Sequence, residues 1–246
     1  MNIAIYSDLE TLSHEAAKYV VQVAQESIAA HGRFTFALSG GNTPKKLYAL
    51  LATEPYRSQI DWALVELFWS DERCVAPDSP DCNFKLAQDV MLSSLPIPPN
   101  QVHRVPADEE DRDAASTAYT QEMQRVFQTD GVPALDLIQL GMGPEGHTAS
   151  LFPHQASLSE TQRLVMPVTV PKPPPPRLTF TPPLLNAAIH VLFLVTGADK
   201  AEAVQEVIEG EHNPQEYPAQ IVQPTQGEVT WMFDTAAAAN LRQRYK

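Results

Sequence analysis

Basic residues are scarce in this chain: 17 Lys and Arg stand against 30 Asp and Glu, a formal net charge of −13. The acidic residues are spread along the chain instead of forming a tail. Neither nucleic acid nor an anionic membrane is therefore an expected partner, since both call for a basic face. A small anion is not excluded, because a few local Arg and Lys can hold a phosphate on an acidic protein. Cysteine is nearly absent, and Cys74 and Cys82 are too few and too loosely placed for a disulfide framework or a zinc site. No run of 18 apolar residues occurs, and the first residues show no basic-then-apolar leader. The expected location is the cytoplasm.

What is present is ample apolar material, 43% of 246 residues, enough for a sizeable core. Short apolar runs alternate with amphipathic stretches. Strands are predicted at Asn2–Tyr6, Phe34–Leu38, Trp62–Trp69, Leu135–Leu140, Ile189–Val195 and Glu228–Phe233. Helices are predicted at Leu9–Ala30, Thr43–Ala52, Asp81–Leu95, Glu109–Thr129, Asp199–Glu209 and from Thr235 onward. Such alternation means βαβ units, so the expected fold is α/β: a single Rossmann-like domain over 1–246, with a mostly parallel sheet and helices on both faces. No repeat or flexible linker divides the chain. Pro171-Lys172-Pro173-Pro174-Pro175-Pro176 is the one biased segment, expected as a rigid extended loop.

The most informative stretch is Gly141-Met142-Gly143-Pro144-Glu145-Gly146-His147-Thr148-Ala149-Ser150-Leu151-Phe152-Pro153, directly after the Leu135–Leu140 strand. Its glycines permit a sharp turn and close approach of a ligand, and a carboxylate, an imidazole and two hydroxyls follow at once. Open α/β sheets build their sites in this way, at the carboxyl ends of strands. The stretch also satisfies Gly-x-Gly-x-x-Gly, but the acidic residue at the right distance, Glu160, precedes the next apolar run (Leu164–Val168) instead of ending it. A dinucleotide site is therefore the lesser reading.

Three further constellations bear on chemistry. Leu38-Ser39-Gly40-Gly41-Asn42-Thr43-Pro44-Lys45 leaves a strand and opens a helix, with Thr43 suited to N-cap it and Pro44 to its first turn. Free backbone N–H groups at such a terminus bind anions, although many glycine turns cap helices without binding anything. Phe68-Trp69-Ser70-Asp71-Glu72-Arg73 ends another strand; Arg73 could fork onto a phosphate, or the polar residues could form a solvated strand end. Lys172 and Arg177, fixed by the proline segment, are plausible anion ligands or ordinary exposed cations.

Together these segments resemble 6-phosphogluconolactonases, in the superfamily that also holds glucosamine-6-phosphate deaminases. The resemblance runs over nearly the whole chain through Ser39–Pro44, Ser70–Arg73, Leu140–Pro153 and Lys172–Thr179. It implies a NagB/RpiA/CoA transferase-like fold and a cofactor-independent, metal-free hydrolase that opens 6-phospho-D-glucono-1,5-lactone to 6-phosphogluconate. It implies that the loop matching Ser39, Gly40, Gly41, Asn42 and Thr43 holds the sugar phosphate. Residues matching Asp71, Arg73, Lys172 and Arg177 assist, and His147 acts as general base beside Glu145. The implied partner is a small sugar phosphate, with the protein a monomer or homodimer.

Two departures stand out. The family more often has aspartate at the position of Glu145, and the common Pro-Ala-Ser near the C-terminus reads Pro218-Ala219-Gln220, so Gln220 receives no role. The chemistry suits the residues without the family name. A lactone is an activated ester, so one positioned base and one group polarising the carbonyl suffice, and histidine is matched to deprotonating water at neutral pH. Ser39 lies in no Gly-x-Ser-x-Gly elbow, and Cys74 has no neighbouring histidine. His14, His31, His103, His154, His190 and His212 read as surface or packing residues, His154 being nearest the site. A deaminase typically reads His-Ile-Ala-Phe-Asn-Glu-Pro where this chain reads His147–Pro153, and the missing acid argues against amino-sugar chemistry. A non-catalytic sugar-phosphate sensor would keep the phosphate loop and dispense with the base.

Overall fold

A computed structural model describes residues 1–245. In chain order the elements are β1 (Asn2–Tyr6), α1 (Leu9–His31), β2 (Phe34–Leu38), α2 (Asn42–Leu51), β3 (Val65–Trp69), β4 (Asp71–Arg73), α3 (Asn83–Val90) and α4 (Arg112–Phe127). Then follow β5 (Leu137–Leu140), β6 (Val165–Val168), β7 (Arg177–Phe180), α5 (Pro182–Leu185), β8 (His190–Val195), α6 (Ala201–Glu209) and β9 (Glu228–Asp234). Six strands form an all-parallel sheet in the order β1-β9-β8-β5-β2-β3, flanked by helices; β4, β7 and β6 form a separate antiparallel sheet.

The local reasons are ordinary. In α1 the apolar positions Leu12, Ala16, Val20, Val23 and Ala24 fall on one buried stripe. Asp8 caps its start by accepting from the Thr11 N–H, and Gly32 ends it at φ 80°. The continuous apolar runs of β2, β5 and β8 are buried on both faces, as a parallel sheet covered by helices requires, while edge strand β1 is half-exposed. Phe193 of β8 and Trp231 of β9 stack at 3.7 Å between ring centres.

Several sequence-based expectations need correction. No helix follows Thr235 among the described residues: 235–240 form hydrogen-bonded turns that bury Ala237 and Ala238, a run too short to propagate a helix. Asp81–Leu95 is helical only over Asn83–Val90, then tightens to a 3₁₀ turn at Leu92–Ser94. Trp62–Leu64 is likewise a 3₁₀ turn before β3. Asp71–Arg73 is a strand of its own, and so is Arg177–Phe180; both escape a periodicity reading because each is only three or four residues long. Ser70 marks the departure from the large sheet: its N–H donates to the Leu38 carbonyl, while its own carbonyl accepts from Phe180 of the small one.

Candidate functional site

From β2 the parallel sheet grows outward to β3, and from β5 it grows the other way through β8 and β9 to β1. The boundary between β2 and β5 is thus where the strand order reverses, and the loops leaving these two strands part to open a crevice at their carboxyl ends. A cavity of about 460 Å³ lies there, lined by the loops after β2, β5 and β8, by strand residues of β4 and β7, and by the proline segment.

Its first wall is the loop after β2. Thr43 is not the N-cap of α2: Gly41 precedes the helix, no side chain caps it, and Thr43 sits inside it with its hydroxyl 2.9 Å from that of Thr196. The absence of a side-chain cap leaves backbone N–H groups free at the helix terminus, with the positive end of the dipole toward the cavity. Gly40 is packed so closely on Asn83 that a Cβ there would lie 1.8 Å from Oδ1. Ser39 lines the cavity, but its hydroxyl is turned inward and donates to Gln139 Oε1 at 2.7 Å.

The second wall is built by the small sheet. Pairing of β4 with β7 sets Asp71 opposite Thr179 and Arg73 opposite Arg177. Asp71 is no solvated strand end. Only 6% exposed, it accepts from Ser150 Oγ at 2.6 Å and from Asn83 Nδ2 at 3.2 Å. Its carboxylate is spent on holding two other segments in place. Glu72 is buried too, and burial pushes its carboxyl up even though it accepts from the backbone N–H groups of Arg73, Asn83 and Phe84. Arg73 donates to the Asp81 carbonyl and keeps a buried Nε without a partner. Arg177 belongs to β7, not to the proline loop, and is 3% exposed; it donates to Ser150 Oγ and to the carbonyls of Lys172 and Pro174. Burial pushes its pKa down, while Asp71 at 3.9 Å opposes that push. Lys172 is exposed, at the cavity's rim.

The third wall is the loop after β5. No helix follows its glycines, so the dinucleotide reading fails for want of the helix terminus that would hold a pyrophosphate. The loop is pinned by Gly143 N–H to the His147 carbonyl, Thr148 Oγ1 to the Gly141 carbonyl, and Ser150 N–H to Thr179 Oγ1. His147 faces the cavity with its ring stacked on Phe152, 4.0 Å between centres and 12° from parallel. Its buried Nδ1 lies 3.0 Å from Glu145 Oε1 but off the hydrogen-bonding direction. The imidazole nevertheless holds the Glu145 carboxyl down to about 2 against the opposing effect of burial. Glu145 itself does not line the cavity. A Cβ on Gly143 would sit 2.1 Å from His147 Nδ1, so only glycine permits this packing. Neither ring nitrogen makes a hydrogen bond within the described residues, and of the two it is Nδ1 that is buried, which leaves Nε2 the one open to a ligand.

The expected site residues thus converge, apart from Glu145, which stands behind His147. Lys200 and Thr196 also line the cavity and were not singled out from sequence. The available signal was Gly197 after the β8 run with a lysine three residues on, the same strand-then-glycine pattern seen at the other two loops. Lys200 also pairs with Asp199. His154 is exposed, contacts Glu216 at 3.2 Å and does not reach the cavity. The Gln220 side chain bonds backbone groups of Asn213, Glu206 and Glu211. Cys82 is raised to about 11 by burial and lies outside the cavity. Among the described residues no cluster of three metal-ligating side chains exists, and no helix is long and apolar enough to cross a membrane. A second cleft of about 370 Å³, near the amino end of β9, brings together no such set of cations.

The chain resembles known proteins over most of its length. The family described as glucosamine-6-phosphate isomerases/6-phosphogluconolactonase matches residues 7–231. A 6-phosphogluconolactonase of Synechocystis is 44% identical over 219 residues, 88% of either chain, and one of Nostoc is 38% identical over 241 residues, 97% of this chain and 98% of its own. The solved 6-phosphogluconolactonase of Trypanosoma brucei superposes with a TM-score of 0.88 at 27% identity, covering 98% of both chains. The chain belongs to the glucosamine-6-phosphate isomerase/6-phosphogluconolactonase family.

Proposed function

We propose that the chain hydrolyses 6-phospho-D-glucono-1,5-lactone to 6-phosphogluconate, with the phosphate bound at the α2 terminus and His147 as the general base. The observation that carries this reading is one cavity that combines an uncapped helix terminus, the cations Arg73, Lys172, Arg177 and Lys200, and the His147 imidazole, whose Nδ1 is buried while Nε2 carries no protein hydrogen bond. A protein of net charge −13 would repel a dianion unless cations were gathered locally, as they are here.

In this mechanism Nε2 takes a proton from water as the water oxygen bonds to the lactone carbonyl carbon. Cations or backbone N–H groups stabilise the oxyanion. The tetrahedral intermediate then collapses, the bond to the ring oxygen breaks, and the imidazolium returns its proton to that oxygen. Glu145 supports the imidazolium from the Nδ1 side without touching substrate. The single domain, the cytoplasm and a monomeric or homodimeric state complete the proposal.

The test is lactone hydrolysis measured above the spontaneous background, with 6-phosphogluconate as competitive inhibitor. Each charge-assisted hydrogen bond contributes about 1.5–3 kcal/mol, so Arg73→Ala should weaken 6-phosphogluconate by roughly 10-fold or more. Equal efficiency on the unphosphorylated lactone, or unchanged inhibition of Arg73→Ala, would remove the phosphate anchor from the reading.

A further inference from the structure

We propose that Phe152 is a positioning residue for the lactonase reaction, holding the His147 ring in the plane from which Nε2 meets water. The inference rests on the reading of His147 as base and adds what sets its orientation. An imidazole has two soft torsions, and His147 lacks the usual device for fixing them, because its Nδ1 makes no well-directed hydrogen bond. Two apolar constraints replace it. Phe152 covers one face of the ring, near parallel at 4.0 Å. The Gly143 backbone closes the edge carrying Nδ1 and Cε1, where even a methyl group would collide.

Phe152 is suited to this work by where it is anchored. It is 1% exposed, yet it does not belong to the main core between sheet and helices; it packs in a small separate cluster with Val168, Val170 and Met166. That cluster lies on β6 and the chain leading into the proline segment, which carries Lys172 and precedes Arg177. The Arg177 guanidinium carbon lies 5.8 Å from the Phe152 ring centre. One aromatic ring therefore touches the base on the β5 loop and a buried cation on β7. Its burial contributes little to the large core and much to the relation between these two groups.

The experiment compares Phe152→Leu, Phe152→Met and Phe152→Tyr with wild type and His147→Ala, measuring kcat, KM, 6-phosphogluconate inhibition and the NMR shift of the His147 ring protons. Leu and Met keep apolar bulk and lose the flat surface, so kcat should fall roughly 10-fold, by more than any weakening of inhibition that follows from the contact with Arg177. The His147 ring protons should also move downfield as the ring current is lost. Tyr keeps the plane and should recover most of the turnover whatever its melting temperature. Having two aliphatic variants keeps the test decisive if one fails to fold. Wild-type kcat in a folded Leu or Met variant, with His147→Ala slow, overturns the positioning role and leaves the base standing. Full turnover by His147→Ala overturns the base and this inference with it.

Discussion

His103 and His147 have nearly the same ingredients and opposite uses. Each lies flat on a phenylalanine: His103 on Phe68 at 4.6 Å, His147 on Phe152 at 4.0 Å. Each meets glutamate. His103 meets it twice, with Glu122 at Nδ1 and Glu66 at Nε2, both at 2.7 Å, and its side chain is only 3% exposed. Both ring nitrogens are committed there, one glutamate to each. His147 has a single carboxylate on one nitrogen and a cavity on the other. A histidine, a glutamate and an aromatic ring are thus no signature of catalysis; the difference lies in the nitrogen left over.

The largest test of that contrast pairs His147→Ala with His103→Ala. General-base assistance contributes about 10²–10⁴-fold, so the first should lose most of its turnover with its melting temperature retained. The second removes the buried partner shared by Glu66 and Glu122 and should cost about 1–3 kcal/mol of stability. At 246 residues that lowers Tm by roughly 2–4 °C per kcal/mol, while kcat of the folded fraction is unchanged. Loss of turnover in a stably folded His103→Ala protein would break the comparison.

Gly143→Ala comes next, because it attacks the packing of His147 and not its chemistry. The added Cβ must displace the ring from its present place. A misplacement on the order of 1 Å costs about 10²-fold, so kcat should collapse while 6-phosphogluconate still binds. Normal turnover would mean that the loop relaxes more easily than its hydrogen bonds indicate.

Glu145→Gln sharpens the contrast further. With its carboxyl near 2, Glu145 is ionised throughout the neutral range, so its own titration shapes no part of the activity profile there. Removing the charge withdraws support from the imidazolium. The acid limb of kcat/KM should then move to lower pH, with turnover reduced by roughly 10-fold. An unmoved limb at full rate would make the carboxylate a bystander.

The smallest effect is expected at His103's own partner. Arg125, and after it His103, hold the Glu122 carboxyl down to about 2 from its ordinary 4.5. A depressed carboxyl contributes stability that is present above the unfolded value and is lost as pH falls through the folded one. Acid melting curves should therefore show that loss between about pH 4.5 and 2, and Glu122→Gln should flatten them. Glu122 is partly exposed, so solvent screening keeps the effect modest.

Sequence alone determined the parallel α/β sheet and the two glycine loops, because apolar periodicity and turn chemistry are local properties. Phe34–Leu38 and the helix beginning at Leu9 were legible for that reason. It also brought forward His147 and the Ser39–Thr43 loop, whose side chains and glycines are contiguous in the chain. What it left open was decided by pairing at long range. Asp71 and Arg177 are 106 positions apart, and each stayed open between site residue and solvated charge until β4 pairs with β7 and buries both. Lys200 enters the cavity only because β8 lies beside β5. Which histidine keeps a free nitrogen was equally a tertiary decision, since Glu66 and Glu122 reach His103 from β3 and α4 and no comparable pair reaches His147. Local sequence fixes a strand or a turn through a few neighbouring torsions; burial and leftover valence depend on what the rest of the chain brings alongside.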